Sequence, residues 1–358
     1  MSPTTDLPSV AVRQAALEAD FAPWQPRSLD RLLRDVAHRH PDRPVVISDA
    51  HAWTYAQMDA WVDRLATGLR AVGVRGGEHV GLILGNYPEF VAVKFAIARV
   101  GAVAVPINTM NRRDEIAFIL RQADVALLVT MDQFRGLNYL EALDSIAPDW
   151  ATAGGGAALP ALRRVVVFPT GETRLRDGVT TLSALDSTAG ALPPVDPSSL
   201  CDIIFTSGTT GAPKGVMLTH DMMLRTAYGS AHGRAFADGQ RILFSLPLYH
   251  VFGYVEGLLA ALFAGGAVVP QLKFTAEDTL EGIARHAATD VLLVPTMSLA
   301  LLDLQRQARR ALPTLRTALA SGGKAPAYLW DDLRTWLGIA EITTGYGMTE
   351  CTASATVT

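Results

Sequence analysis

Four hydroxyl side chains, three glycines and one lysine lie within ten consecutive residues, 206–215. Glycines let backbone N–H groups approach an anion closely, hydroxyls donate hydrogen bonds, and Lys214 adds a positive charge. A loop of this kind, placed between two apolar strands, is suited to wrapping a polyphosphate. The candidate phosphate-binding residues are Thr206, Ser207, Gly208, Thr209, Thr210, Gly211 and Lys214.

The loop does not have the Walker A pattern of many ATPases. Pro213 rather than glycine precedes Lys214, and Gly215 rather than a serine or threonine follows it. A surface hairpin of small polar residues is the alternative interpretation. The order Thr-Ser-Gly-Thr-Thr-Gly-x-Pro-Lys-Gly favours phosphate binding over that alternative.

Three further segments combine residue types that suit a binding site. Residues 245–253 (Ser-Leu-Pro-Leu-Tyr-His-Val-Phe-Gly) place aromatic rings and His250 at a strand-to-helix junction, where Pro247 ends the strand. Residues 320–326 (Ala-Ser-Gly-Gly-Lys-Ala-Pro) form a turn, and residues 343–350 (Thr-Thr-Gly-Tyr-Gly-Met-Thr-Glu) contain an aromatic ring, hydroxyls and a carboxylate. The structural alternatives are a histidine packed among aromatic rings and a glycine-flanked turn with an exposed glutamate.

Apolar strands alternate with amphipathic helices along most of the chain, which indicates mostly parallel sheet structure covered by helices on both faces. Thr54 and Gln57 form a capping box at the start of a predicted helix that stops at Gly73. Residues 151–159 are predicted to be a flexible surface loop, and residues 170–200 are predicted to be a long loop region with one short helix. The other predicted elements are strands at 79–84, 102–106, 125–130, 164–168, 203–206, 242–246, 267–269, 291–294 and 317–321, and helices at 90–99 and 114–122.

The composition predicts a soluble globular protein, since 49% of the 358 residues are hydrophobic and 18% are charged. A net charge of −4 gives no reason to expect nucleic-acid binding. Cys201 and Cys351 are the only cysteines, which suits a reducing cytoplasm and excludes a disulfide framework. No signal-peptide pattern is present, and the apolar stretch 254–270 contains Glu256, so we expect a buried helix and strand there rather than a transmembrane segment.

The phosphate loop and the three further segments, in this order, resemble the adenylate-forming superfamily of acyl-CoA synthetases, peptide-synthetase adenylation domains and beetle luciferases. The resemblance extends from about residue 28 to residue 358. It implies an α/β fold of two stacked, mostly parallel sheets surrounded by helices. The implied divisions are an N-terminal extension (1–27), a first subdomain that contains the phosphate loop (78–229), and a discontinuous second subdomain (28–77 plus 230–358).

The resemblance also implies roles for individual residues. Tyr346 would stack on adenine, Thr349 would bond the α-phosphate, and Glu350 would hold Mg²⁺, since a hard carboxylate suits a hard cation. Thr349, Glu350 and Lys214 are the implied catalytic residues. Besides the phosphate loop, the implied nucleotide-binding residues are Gly322, Gly323, Lys324, Ala325, Pro326, Gly345, Tyr346, Gly347, Met348 and Thr349. The implied acyl-pocket residues are Tyr249, His250, Val251, Phe252, Gly253, Ser321 and Gly345.

The implied function is ATP-dependent activation of a carboxylic acid to an acyl-adenylate, followed by transfer to CoA. An acyl-AMP ligase that delivers to a carrier protein and a non-catalytic nucleotide-binding module are the alternatives. No acidic residue lies between Ser245 and Tyr254, which favours a substrate without an α-amino group. The family normally continues into a ribose-binding aspartate and a small domain with a catalytic lysine. Neither is found in this chain, so we expect it to bind ligands with impaired catalysis.

Overall fold

The structure is a computed structural model that describes residues 7–171, 174–188, 190–206 and 213–358. In chain order, its strands are β1 Pro44–Ile47, β2 Ala52–Thr54, β3 His79–Ile83, β4 Val103–Pro106, β5 Val125–Met131, β6 Gln133–Phe134, β7 Leu137–Asn138, β8 Arg164–Phe168, β9 Thr180–Thr181, β10 Leu200–Thr206, β11 Lys214–Thr219, β12 Arg241–Phe244, β13 Ala267–Pro270, β14 Asp290–Leu293, β15 Thr317–Ala320, β16 Glu341–Thr343, β17 Gly345–Met348 and β18 Ala353–Val357.

Its α-helices, in the same order, are α1 Val10–Phe21, α2 Leu29–Arg39, α3 Tyr55–Ala71, α4 Pro88–Val100, α5 Arg113–Gln122, α6 Tyr139–Ile146, α7 Trp150–Ala153, α8 His220–Gly233, α9 Val251–Gly253, α10 Ala260–Phe263, α11 Ala276–Arg285, α12 Pro295–Gln307 and α13 Leu329–Asp332. Short 3₁₀ helices lie at Leu182–Leu185 and Thr349–Cys351, and π-helical segments lie at Tyr254–Leu259 and Leu333–Leu337. No helix among these elements is long and apolar enough to cross a membrane.

The chain forms two compact units, each built around one seven-stranded sheet. Unit 1 contains the chain up to Pro26, Asp35–Gln57 and Met222–Thr358, and unit 2 contains Arg27–Arg34 and Met58–Asp221. The sheet of unit 1 has the strand order β16-β15-β14-β12-β13-β1-β2, and that of unit 2 has the order β11-β10-β4-β3-β5-β8-β9. Only the pairs β1–β2 and β10–β11 are antiparallel within these sheets. The α/β class with two mostly parallel sheets is therefore confirmed.

Residues 58–77 group with unit 2, whereas the sequence led us to expect them with the C-terminal half. The buried Arg99 of α4 supplies a physical reason. Its guanidinium donates to the backbone carbonyl of Asp59 at 3.0 Å and to the carboxylate of Asp63 at 2.9 Å, and it also pairs with the Asp59 carboxylate. Because a buried charge needs such partners, these bonds attach this part of α3 to α4.

The core of unit 1 is formed by the apolar faces of α11 and α12 against β14. Leu280 and Ile283 of α11, Leu301 of α12, and Val291 and Leu293 of β14 belong to one buried cluster. The helical residues follow the spacing of an amphipathic helix, whereas β14 is buried on both faces, as expected for a central parallel strand. This packing fixes the positions at which β14 and β15 end, and the candidate site begins at those strand ends.

Local sequence signals set several element boundaries as predicted. The N–H of Gln57 donates to Thr54 Oγ1 at 3.2 Å, and the N–H of Thr54 donates to Gln57 Oε1 at 3.0 Å, so the capping box is confirmed. Gly73, just after α3, has a φ of +95°, a conformation that glycine adopts without strain. The stretch 254–270 is a buried helix that runs into β13, also as predicted.

Residues 151–159 were predicted to be a surface loop, and this prediction is wrong for part of the segment. Trp150–Ala153 is a short helix, and Gly154 and Gly155 are buried. The N–H of Gly155 donates to the carbonyl of Leu162 at 2.7 Å, and a Cβ at Gly155 would lie 2.3 Å from the Leu159 carbonyl oxygen. The glycines are therefore needed for close backbone packing.

Candidate active site

His250 lies at the start of the helix that follows β12. It has an extended backbone and is the N-cap of α9, where its Nδ1 accepts a hydrogen bond from the N–H of Phe252 at 3.2 Å. Its surface is open to a cavity, but protein atoms surround the ring on most sides, and this burial lowers the pKa of His250 below its usual value. The ring is therefore neutral at pH 7, and with Nδ1 as acceptor the proton is on Nε2.

Gly253 ends this aromatic segment and is buried. A Cβ at this position would lie 2.5 Å from the carbonyl oxygen of Pro247 and 2.8 Å from that of Leu246. The small size of Gly253 is therefore required by the turn between β12 and α9. It does not line the cavity described below.

The turn after β15 lies next to the end of the neighbouring strand β16. Ser321 Oγ donates a hydrogen bond to the carbonyl oxygen of Gly345. Gly322 has a φ of +90°, and a Cβ there would lie 3.1 Å from a methyl group of Val294. A Cβ at Gly323 would meet only the ring of Pro295, at 3.7 Å. Gly322 is thus required by its backbone conformation, and Gly323 is not required by packing.

The segment 343–350 includes one strand of a two-stranded hairpin, β17–β18. Tyr346 is 67% exposed, and Met348 is 50% exposed. A Cβ at Gly347 would lie 1.8 Å from the carbonyl oxygen of Ala353, so only glycine fits at this position of the hairpin. Thr349 is buried at the start of the 3₁₀ helix, whereas Glu350 is exposed.

These segments of unit 1 meet around a cavity of about 120 Å³. Its lining residues are His250, Val251, Phe252, Glu256, Ser321, Gly322, Gly347, Met348, Ala353 and Ser354. Seven of the predicted site residues are thus brought together from three separate parts of the sequence. Other predicted residues of unit 1 lie in the same turns but outside the lining: Tyr249, Gly253, Gly323, Lys324, Ala325, Pro326, Gly345, Tyr346, Thr349 and Glu350.

Glu256, Ala353 and Ser354 also line the cavity and were not predicted from the sequence. Glu256 is buried in the π-helical segment that follows α9. Its Oε1 accepts a hydrogen bond from the N–H of Ser354 at 3.0 Å, and its Oε2 accepts one from Ser230 Oγ. The signal was a single carboxylate inside a long apolar run, because buried charges are rare and π-helical turns are frequent at functional sites.

Glu256 bears on one inference from the sequence. The absence of acidic residues between Ser245 and Tyr254 was taken to favour a substrate without an α-amino group. The structure places Glu256 in the cavity wall, since the helix turns this residue towards Ser354. The cavity wall therefore contains a carboxylate from just outside that segment, and the absence of an α-amino group from the substrate stays a prediction.

The candidate phosphate loop joins the two antiparallel strands β10 and β11 of unit 2. Thr206 and Lys214 are partners in the register, so they flank the base of the hairpin, and Lys214 is exposed. The predicted site residues Ser207, Gly208, Thr209, Thr210 and Gly211 lie outside the described residues. The prediction that two strands enclose the loop is confirmed.

A magnesium site was expected at Glu350. Mg²⁺ is commonly held by one or two carboxylates together with water and substrate phosphate oxygens. The exposed carboxylate of Glu350, one residue after the buried Thr349, fits such a donor set. Within the described ranges, no group of three or more His, Cys, Asp or Glu side chains could hold a metal, and a site of this kind requires none.

Known proteins resemble the chain in sequence and in structure. It is 32% identical over 346 residues to YngI, a candidate acyl-CoA synthetase of Bacillus subtilis (strain 168), a match that covers 92% of this chain and 62% of that protein. It is 33% identical over 339 residues to the 3-[(3aS,4S,7aS)-7a-methyl-1,5-dioxo-octahydro-1H-inden-4-yl]propanoyl:CoA ligase of Mycobacterium tuberculosis (strain ATCC 25618 / H37Rv), covering 93% of this chain and 63% of that one.

Among solved structures, the inhibitor-bound N-terminal domain of FACL13 from Mycobacterium tuberculosis matches with a TM-score of 0.78 at 25% identity, over 92% of this chain and 78% of that chain. The chain spans less than two thirds of the length of the two curated relatives above. The family of AMP-binding enzymes matches residues 33–358. The chain therefore belongs to the AMP-binding enzyme family.

Proposed function

We propose that the protein uses ATP to convert a carboxylic acid into an acyl-adenylate and then transfers the acyl group to CoA. The observation that carries this proposal is the cavity of about 120 Å³ that the aromatic segment, the glycine turn and the hairpin enclose together. Relatives named as CoA ligases support the same reaction. The cavity would hold the acyl group of the acid.

In the first step, a carboxylate oxygen of the acid attacks the α-phosphorus of ATP. An O–P bond forms, and the bond to pyrophosphate breaks. Because both reactants are anions, the protein must mainly position them and neutralise charge. Lys214 would bind the β- and γ-phosphates together with the hydroxyls of Ser207, Thr209 and Thr210. Thr349 would donate to an α-phosphate oxygen.

The residues around the cavity would orient the acid and the adenosine. The Nε2–H of His250 is a donor that could bind the substrate carboxylate, and since the imidazole is neutral it would do so without transferring a proton. The exposed ring of Tyr346 offers a face on which adenine can stack. The hydroxyl of Ser321, which bonds Gly345, would hold the turn in place rather than contact the acid.

Mg²⁺, when bound, would screen the phosphate charges, and Glu350 is the side chain that would hold it. In the second step the CoA thiol sulfur attacks the acyl carbon, AMP leaves with the bonding electrons, and the thiol proton is released. We propose a cytoplasmic location because Cys201 and Cys351 are both free thiols, as in proteins of a reducing compartment.

ATP–pyrophosphate exchange by the purified protein, across aliphatic, aryl and polycyclic acids, tests the first step. Slow exchange that depends on one class of acid is the expected result. Thioester formation is then measured with CoA and, in parallel, with a phosphopantetheinylated carrier protein. Preference for the carrier would identify an acyl-AMP ligase instead. Nucleotide binding without any acid-dependent exchange or acyl-adenylate binding would point to a non-catalytic module.

A further inference from the structure

Glu256 is a buried carboxylate in the wall of the cavity. It accepts two hydrogen bonds, from the N–H of Ser354 at 3.0 Å and from the hydroxyl of Ser230. No lysine, arginine or histidine of the described residues lies within ion-pair distance of it. The nearby Arg234 donates to the backbone carbonyl of Glu256 at 2.9 Å, while its guanidinium is paired with both oxygens of Asp290, each at 2.9 Å.

Burial of a carboxylate in this way is costly. Moving an ionised group from water into the protein interior costs about several kcal/mol of free energy, unless a cation or several hydrogen bonds compensate for the lost hydration. The two protein donors satisfy one acceptor position on each oxygen, and a carboxylate has about four such positions. Glu256 is also one of the residues that line the cavity, which under the proposed function receives the acyl group.

We propose that Glu256 is a specificity residue that selects acids whose acyl group carries a hydrogen-bond donor, an amino or hydroxyl group, distant from the reacting carboxyl. This inference rests on the proposed function, because it assumes that the acyl group enters the cavity. A donor on the substrate would occupy the open acceptor positions of Glu256. An acyl group without a donor would leave the buried carboxylate without water and without a new partner.

The size of the cavity restricts the acids to compact ones. Apolar cavities of about 150 Å³ in proteins hold a molecule of benzene, and this cavity measures about 120 Å³. The ring of Phe252 and the side chains of Val251 and Met348 supply its apolar surface. This volume is smaller than the benzene-binding one, but the cavity is partly open, so a small ring with one polar substituent is about the largest acyl group that suits it.

Matched acyl-sulfamoyl-adenosines, stable mimics of the acyl-adenylate, test the proposal by calorimetric titration. The probes are benzoyl derivatives with an amino, hydroxyl or methyl group at each ring position, and sulfamoyl-adenosine without an acyl group is the reference. We expect at least one amino or hydroxyl probe to bind about 10- to 100-fold more tightly than its methyl counterpart, the range of a hydrogen bond to a charged group.

Glu256→Gln provides the second arm, and Glu281→Gln, an exposed carboxylate outside the cavity, is its control. Glutamine keeps the shape and one acceptor oxygen, but its amide N–H groups repel a donor. The preference for the donor probe should therefore fall to within about threefold in Glu256→Gln and remain in the control. If Glu256→Gln fails to fold, the matched probes on the wild-type protein still test whether the cavity prefers an acyl group with a hydrogen-bond donor.

Equal affinity of the wild-type protein for donor and methyl probes at all ring positions would overturn the proposal while leaving the proposed function intact. An unchanged preference in folded Glu256→Gln would also overturn it, since the donor would then be recognised elsewhere. If no benzoyl probe bound more tightly than sulfamoyl-adenosine, the specificity proposal would fail, whereas the proposed function would fail only if the exchange assay also showed no dependence on any class of acid.

Discussion

Lys94 of α4 and Asp202 of β10 form an ion pair in unit 2 in which both side chains are buried, with exposures of 1% and 0%. Burial raises the pKa of Asp202, and the ammonium of Lys94 opposes this shift. Lys94 is one of only four lysines in the sequence and lies 120 residues from Lys214, the lysine of the phosphate loop. Its partner is part of the strand that enters that loop.

We expect Lys94→Met to destabilise the protein by about 3–5 kcal/mol, the usual cost of leaving one buried charge without its partner. Lys94→Met combined with Asp202→Asn should recover more than half of that loss, because the uncompensated charge is then removed. Urea unfolding of the two single variants and the double variant forms a double-mutant cycle. Losses that simply add in the double variant would show that the two charges do not stabilise each other.

His220, at the start of α8, is predicted to make stability depend on pH. Burial and, to a lesser degree, the charge of Lys94 lower the pKa of His220 from 6.5 to about 4. The folded protein then binds the proton more weakly than the unfolded chain. The contribution of neutral His220 to the free energy of unfolding is complete above pH 6.5. It is lost as the pH falls towards 4, and the total loss is roughly 3 kcal/mol.

His220→Gln isolates this effect, since glutamine can still accept the hydrogen bond that His220 Nδ1 accepts from the N–H of Leu29 at 3.2 Å. The measurement is the free energy of unfolding between pH 7.5 and 4.5 for both proteins. We expect a smaller loss of stability in the variant at the acid end. Parallel curves over the whole range would mean that other groups cause the pH dependence.

Replacing either of two helical glycines by alanine should have opposite effects on the stability of the protein. A Cβ at Gly68 of α3 would lie 1.8 Å from the backbone oxygen of Leu185, whereas no atom lies within 4 Å of a Cβ at Gly229 of α8. Gly229→Ala should therefore stabilise the protein by about 0.4–1 kcal/mol through helix propensity and unfolded-state entropy. Gly68→Ala should destabilise it by about 1–3 kcal/mol, because the helix must move away from that backbone. Thermal unfolding of both variants tests this prediction. Equal shifts of the two melting temperatures from that of the wild-type protein would contradict the packing argument.

Lys214→Ala should weaken ATP binding roughly tenfold or more, as expected for the loss of a hydrogen bond between charged groups. Binding of an acyl-sulfamoyl-adenosine should hardly change, because this mimic lacks the β- and γ-phosphates. Arginine should restore ATP binding in part, since it keeps the charge but not the compact ammonium group. The affinities are measured by titrating ATP and the mimic into each protein, and Lys273→Ala, which removes another exposed lysine, is the control. Equal losses for the two ligands would remove Lys214 from the phosphate site.

In Glu350→Gln, the increase in ATP affinity on adding Mg²⁺ should be about tenfold smaller than in the wild-type protein. The reason is that an amide oxygen carries no negative charge for the cation. Folding stability should stay nearly unchanged, since Glu350 is exposed. ATP is titrated with and without Mg²⁺, and Glu277→Gln, an exposed carboxylate outside the candidate site, is the control. An undiminished Mg²⁺ effect in Glu350→Gln would place the metal on other ligands.

Much of the fold could be predicted because its signals are local. The reciprocal bonds of Thr54 and Gln57 depend on three-residue spacing, and β8 was predicted with its observed bounds, Arg164–Phe168, because the strand is a continuous apolar run. The small turns of the site were also visible in the sequence. Gly347 is an example, since its contact with Ala353 requires glycine whatever the ligand.

The composition of the cavity could not be predicted in the same way. Glu256 and Ser354 are 98 residues apart, and only the hairpin β17–β18 brings the N–H of Ser354 to the carboxylate. The orientation of Glu256 also depends on a π-helical turn, which no hydrophobic periodicity reveals. Gly253 was predicted as an acyl-pocket residue, but a glycine is required there by the Pro247 carbonyl, a contact within the same turn.

The outermost strands of the two seven-stranded sheets differ in length. β2 and β16 contain three residues each and β9 contains two, whereas β11 contains six. A short outer strand offers few backbone groups to a strand of another molecule, while a long one favours edge-to-edge pairing. β11 begins with the exposed Lys214, and a charge on an outer strand opposes such pairing. The lysine that we assign to phosphate binding thus also protects this edge of the sheet against self-association.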